Sequence, residues 1–271
     1  METPTPKAFF SRHAVFHLDE FRTAYETPGH RSPQTTSAVL KQHVAAGRLV
    51  HVRREIYARV PEGELAGQFQ VDPYLVASRL AKDAVIAYHA ALQLLGKAHS
   101  ISSNVNYLTA KRAKPFAFQG THFIPTLVPT VLRSLPDFGG GIREEVRNGV
   151  NLRVTNYERT LVDVLDAPDY GGGWEEIWRS LESIEFFNLD FVVEYALKLN
   201  SALTIARVGF FLEQHRDALM VEERHLQPLR ARAPKRRQYF ERRKRKGGKL
   251  VHDWNLIVPQ GVLDRSWQEV A

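Results

Sequence analysis

The sequence predicts an α+β protein, and three observations predict it. A punctuated helix between Ser32 and Gly47 runs directly into alternating strand-like residues from Leu49 to Val60. Short strand-like segments then fill the middle of the chain, with an Asn148-Gly149 pair between two of them, the strongest local hairpin signal. From Tyr157 onward the apolar spacing becomes helical. Strands that mostly precede helices argue for α+β rather than alternating α/β. With 271 residues, of which 44% are hydrophobic, the chain can bury a proper core and divide into two domains.

The elements follow in order. PKAFFSRHAV is the only segment available for a first helix, and it is short. Leu18, Phe21 and Tyr25 recur at helical spacing, so a second short helix is expected from about Asp19. In SPQTTSAVLKQHVAAG, Ser32 suits the N-cap, Pro33 the first helical position and Gly47 the stop. A helical wheel puts Thr36, Leu40, His43 and Val44 on one face. Gln34, Thr35, Ala38, Lys41, Gln42 and Ala45 fall on the other. That second face is small and polar enough to approach a duplex and to offer hydrogen bonds to base edges.

The ribbon after it reads LVHV, a tip of Arg53-Arg54-Glu55, then IYARV. The tip lacks the Asn-Gly, Asp-Gly or Gly-X of ordinary two-residue hairpins. Helix, turn, helix and then a two-stranded ribbon is the order of a winged helix-turn-helix, expected over residues 1–64. Two guanidinium groups at the end of a wing would reach phosphates or the minor groove.

GELAGQF is read as a linker, and the second domain, 72–271, opens on Asp72-Pro73 as N-cap and first helical residue. Val85–Ala87 is a short apolar run, and YHAALQLLG is a helix stopped by Gly96. VNYLT, FAFQG and THFIPTLVP read as strands. ERTLVDVLDA, WEEIWRSLESI, LDFVVEYALKLN and SALTIARVGFFLEQH read as helices.

Charge is concentrated. Residues 230–249 hold eleven Lys and Arg against the single acid Glu241, whereas the whole chain carries only +7. A patch of this kind attracts phosphate backbones, and its bland alternative is a solvated tail. The first 72 residues carry only +1, so the N-terminal domain needs help from elsewhere to grip a polyanion.

Catalysis leaves few traces. DYGGGW lacks the Lys-Ser or Lys-Thr of a phosphate-binding loop and the spacing of a dinucleotide fingerprint, so it reads as a turn. Asp163 and Asp166 lie at i, i+3 on an amphipathic helix, where they cap or pair with neighbours. Asp137, Glu144 and Glu145 form the one local carboxylate cluster with nuclease potential. His89 reads as packed, and no metal, cofactor or catalytic residue is expected. There is no cysteine, no run suited to a signal-peptide core and no stretch of about 20 apolar residues, so a soluble cytoplasmic protein without membrane contact is expected.

Taken in order, several segments resemble the AbiEi-type antitoxins of bacterial abortive-infection, or type IV toxin–antitoxin, systems. GRLVHVRREIYARVP resembles that family's wing, and AYHAALQLLG the first helix of its C-terminal domain. ERTLVDVLDAPDYGGGWEE resembles its Thr-Leu-x-Asp-x-Leu…Pro…Gly-Gly segment. LNSALTIARVGFFLEQ resembles its Arg-x-Gly-aliphatic-x-x-Glu helix, and DWNLIVP its closing strand. Glu55 stands where the family usually has a wing-tip glycine. The resemblance implies a winged helix that binds operator DNA and represses its own operon. It also implies a C-terminal domain that neutralises a nucleotidyltransferase-type toxin encoded nearby, in antiviral defence.

The expected interface follows. Gln34, Thr35, Lys41 and Gln42 face bases, and Arg53 and Arg54 hold the backbone. Arg236, Arg237, Arg242, Arg243, Lys244 and Arg245 add phosphate contacts. Double-stranded operator DNA is the expected partner, with two copies if the operator is symmetric. The rival readings are a nucleic-acid-processing enzyme delivered by its winged helix, an interaction module whose basic stretch binds a toxin or an RNA, and a stand-alone regulator without a toxin.

Overall fold

A computed structural model of the chain describes residues 5–25, 33–241 and 248–268, the side chains of 33–35 and 268 excepted. The chain is mixed α+β. It forms two compact units, Met1–Ile86 with Ser103–Pro125 and Glu144–Arg153, and Ala87–Ser102 with Thr126–Arg143 and Val154–Ala271.

The first unit starts with α1 (Pro6–Arg12), β1 (Val15–His17), α2 (Leu18–Tyr25), α3 (Pro33–Ala45), β2 (Leu49–Arg53) and β3 (Ile56–Arg59). Although α1 has only seven residues, Thr5 Oγ1 caps it by accepting from Ala8 N at 3.3 Å. It contributes Phe9 and Phe10 to a core with Phe16, Leu18, Phe21, Tyr25, Leu40 and Leu49. Phe9 meets Phe16 and Phe21 edge-on, each at 5.1 Å between ring centres, a geometry that adds about 0.5–1.5 kcal/mol per pair beyond area burial. The three strands lie in the order β1-β3-β2. Gly47, at φ +67°, ends α3 as expected, with its N–H donating to Val44 O at 3.0 Å.

The rest of this unit comprises α4 (Pro73–Ala77), β4 (Val85–Ile86), β5 (Asn104–Thr109) and β6 (Phe116–Phe118), with most of β7 (Thr121–Leu127), β8 (Ile142–Arg147) and β9 (Val150–Thr155). These strands form a six-stranded sheet in the order β6-β7-β5-β4-β9-β8. Asn148-Gly149 makes the expected hairpin turn, with both residues at positive φ as a type I′ turn requires.

The segment expected to be a linker is pinned. Gln119 Oε1 accepts from Val71 N at 2.9 Å while its Nε2 donates to Phe69 O at 2.8 Å. Asp72 caps α4 and pairs with Arg147. These bonds join the first module to the sheet, and the compact division therefore does not fall at residues 64–72. Periodicity could not show this, because the bonds span about fifty residues.

In the second unit α5 (His89–Leu94) is followed by α6 (Tyr157–Asp166), α7 (Trp174–Glu182), α8 (Leu189–Leu199), α9 (Ala202–Gln214) and α10 (Glu223–Arg232). A small sheet of β10 (Gln238–Tyr239), β11 (Lys249–Val251) and β12 (Leu256–Val258), ordered β10-β12-β11, precedes α11 (Gln260–Asp264). Asn156, Asn188 and Ser201 cap α6, α8 and α9 with their side-chain oxygens.

Several residues of the segments that carry the family resemblance are buried in this unit. Arg159 is fully enclosed. Its Nη1 donates to the carbonyls of Gly140 at 2.7 Å and Phe138 at 3.2 Å, and its Nε to Asp163 Oδ2 at 3.2 Å. Tyr195 Oη donates to the other oxygen of Asp163 at 2.9 Å. Burial pushes the Asp163 carboxyl up, against the opposing pull of Arg159 and Tyr195.

In the Arg-x-Gly segment, Arg207 donates to the carbonyls of Leu165 and Phe240 at 2.8 and 3.1 Å. Gly209 lies under Trp254, where a Cβ would come within 2.2 Å of the ring. Glu213 accepts from Trp254 Nε1 at 2.7 Å and pairs with Arg230 at 2.5 Å. Arg207, Gly209 and Glu213 each have a packing or bonding reason to be what they are.

Candidate nucleic-acid interface

The candidate interface is built on α3 and the β2–β3 ribbon. Thr36 and Leu40 are fully buried, which fixes the rotation of α3 about its axis. Ala38, Lys41, Gln42 and Ala45 are then exposed, the face expected to be open. Gln34 and Thr35 belong to the same expected face, but their side chains lie outside the described residues. His43, on the inward side of α3, is half-buried, its ring edge-on to Phe10 at 4.9 Å, and its Nδ1 accepts from Arg48 Nε at 2.9 Å. Burial, and then the Arg48 charge, hold its pKa below the ordinary 6.5.

At the ribbon tip the two arginines part company. Arg53 pairs with Ile56, so the turn itself is Arg54-Glu55. Glu55 takes φ +66°, the left-handed conformation for which glycine is suited, and this is the position where the resembled family carries glycine. Glu55 is held there by its carbonyl, which accepts from Leu18 N at 2.7 Å, and by a 3.6 Å approach to His17.

The register shifts between His51 and Arg53, so that Val52 is inserted as a bulge. Bulges re-aim the side chains beside them, and Arg53 is only half-exposed. Its guanidinium lies over the Phe116 ring, 5.0 Å from the centroid. Arg54 projects into solvent with 90% of its side chain exposed, its Nε 4.0 Å from Glu55 Oε1. Of the expected arginine pair, Arg54 is the exposed tip and Arg53 is a packing residue in the last strand pair before the turn.

The basic segment of the second unit is no simple tail. It is anchored by α10 before it and by β10 and β11 within it. Arg230 is taken up by Glu213, Glu223 and the face of Trp254. Arg236 and Arg237 are exposed, while Arg242, Arg243, Lys244 and Arg245 lie outside the described residues.

Sequence reading passed over one further set of cations. The β5–β6 loop, Ala-Lys-Arg-Ala-Lys-Pro over residues 110–115, exposes Lys111, Arg112 and Lys114 within the first unit. The signal was present as three cations in four residues without an acid.

The carboxylates weighed for catalysis are engaged elsewhere. Asp163 belongs to the Arg159–Tyr195 network, Asp166 accepts from Thr204, and Glu144 accepts from Asn151 at 3.0 Å. Among the described residues no three His, Asp or Glu side chains are grouped so as to hold a metal ion, and no helix is long and apolar enough to cross a membrane.

No protein-family model and no curated protein matches the chain. It is similar in structure to the Rv2827c protein of Mycobacterium tuberculosis, with a TM-score of 0.58 and 18% identity over 95% of this chain and 90% of that one. At that identity the likeness speaks for a shared fold across nearly the whole length.

Proposed function

We propose that the protein is a DNA-binding transcriptional repressor whose residues 1–64 act as a winged helix-turn-helix, with α3 as the recognition helix and β2–β3 as the wing. The observation that carries the reading is the small, polar, solvent-open face of α3 immediately followed by a ribbon whose tip holds a solvent-exposed arginine. Lys41 and Gln42, with Gln34 and Thr35, read base edges in the major groove, and Arg54 meets the backbone. Arg236 and Arg237 supply phosphate contacts from the second unit.

The antitoxin role rests on the ordered motifs that resemble the AbiEi type. On that reading the protein is cytoplasmic and non-enzymatic. It represses its own operon, as two copies where the operator is symmetric, and neutralises a nucleotidyltransferase-type toxin encoded beside it. The buried Arg159–Asp163 and Arg207–Gly209–Glu213 sets support a scaffold role for those motifs, leaving the chemistry to the toxin.

The test uses duplex DNA from upstream of the protein's own coding sequence. Lys41→Ala with Gln42→Ala should weaken binding to it by about 1–3 kcal/mol per lost base contact and leave random-duplex binding unchanged. Unchanged affinity and selectivity would remove α3 as the reader. Rescue of growth when the chain is co-expressed with the neighbouring gene product tests the antitoxin role, and unrelieved toxicity would refute it.

A further inference from the structure

The first 72 residues carry a net charge of only +1, yet an operator-binding domain of this size needs several phosphate contacts for its grip. The missing cations lie close by in the fold and distant in the sequence. Lys111, Arg112 and Lys114 are exposed on the β5–β6 loop, and no carboxylate pairs with any of them among the described residues.

The loop is held at both ends. At its entry Asp83 accepts from Thr109 Oγ1 at 2.7 Å and from Ala110 N at 2.8 Å. At its exit Phe116 stacks on Phe123 with ring centres 5.0 Å apart, and Arg53 covers the Phe116 ring. Arg53 therefore joins the tip end of the ribbon to the end of the loop. Arg54 follows Arg53 directly and Lys114 precedes Phe116 by two residues, a reach of about 7 Å. Ribbon tip and loop thus fall within the roughly 34 Å of one duplex turn.

We propose that the β5–β6 loop is a second phosphate-binding arm, which extends the footprint of the ribbon along the DNA backbone through Lys111, Arg112 and Lys114. The proposal rests on the DNA-binding reading above and deepens it. The ligand is the sugar–phosphate backbone of a duplex, read without regard to sequence. An arm anchored at both ends loses little freedom on binding, and its cations have no internal ion pairs to break.

The test is the triple variant K111A/R112A/K114A in the full-length chain, with K111R/K114R as the charge-keeping control. Binding is followed from about 50 to about 200 mM salt on two duplexes of about three turns, one from the protein's own upstream region and one of random sequence. Each phosphate contact contributes about −0.9 to the slope of log affinity against log salt. The triple variant should therefore flatten the slope by about two to three units on both duplexes, without changing the ratio of their affinities. The arginine control should keep the parental slope. All three positions are solvent-exposed, and an unchanged thermal midpoint checks that the variant is folded.

An unchanged slope in a variant that still binds, alongside loss of selectivity in K41A/Q42A, would overturn the arm and leave the DNA-binding reading standing. A loss seen with single-stranded RNA and not with duplex would also overturn it. Failure of the parent chain to bind either duplex would sink both.

Discussion

Lys41 and Arg159 are both cations on amphipathic helices, and they face opposite ways. In the first unit the polar side of α3 is turned to solvent, and the buried side consists of Thr36 and Leu40. In the second unit Arg159 is enclosed, with its Nη1 donating to loop carbonyls and its Nε paired with Asp163. An exposed cation keeps its hydration and is available to a polyanion, whereas a buried one is tolerated only when it is fully paired. The difference teaches that charge on a helix marks a binding face only where the fold leaves it unpaired. Arg159 and Arg207, both in segments that carry the family resemblance, are cations the fold has enclosed.

The largest expected effect breaks the buried side of the comparison. Arg159→Met leaves Asp163 buried without its cation and strips the loop carbonyls of their donor. Removal of one partner from such a pair costs about 3–5 kcal/mol. Urea unfolding should show a loss of that size, while the folded fraction keeps its DNA affinity. A loss below about 1 kcal/mol would mean that the network is not a structural keystone.

The two ribbon arginines give a sharper contrast on a smaller scale. Arg53→Ala should cost about 0.5–1 kcal/mol of stability through the lost contact with Phe116. Arg54→Ala should leave stability within about 0.5 kcal/mol and reduce the salt slope of duplex binding by about 0.9. If the two substitutions exchange phenotypes, the packing and phosphate roles have been assigned the wrong way round.

The smallest effect concerns His43, on the inward side of α3. Because the pKa of His43 lies below the ordinary 6.5 in the folded chain, the unfolded chain takes up its proton first as pH falls. The stability contributed by the neutral ring is fully present above about pH 6.5 and declines below it. Glu176 and Glu182 are held below the usual 4.5 by the hydrogen bonds they accept, which outweigh the effect of burial, so their contributions are lost only at lower pH. Unfolding midpoints near pH 5 and near pH 7.5 should therefore differ in the parent by more than in His43→Gln. Equal differences would remove His43 as the titrating group.

Much of this was legible in order along the chain. The stop of α3, its inward and outward faces over residues 36–45, the ribbon and the Asn148-Gly149 turn depend on residues within a few positions of one another, and so does their physics, whereas the expected N-cap Ser32 lies outside the described residues. The α+β class followed from the same local periods. The fate of Arg53 was not legible, because its partner Phe116 is 63 residues away and a single bulge at Val52 decides which way it points. Nor was the enclosure of Arg159, whose acceptors are carbonyls in a loop about twenty residues upstream.

By itself the sequence determined which helix could offer a polar face, where the ribbon would follow it and where the positive charge would gather. Only the tertiary structure decided which cations remain unpaired. It turned Arg54 outward and Arg53 onto a ring, gave Arg230 to Glu213 and Arg159 to the core, and brought Lys111, Arg112 and Lys114 into the same unit as the ribbon. The physical reason is that side-chain chemistry is a local property, whereas solvation and pairing depend on neighbours that only long-range contacts supply.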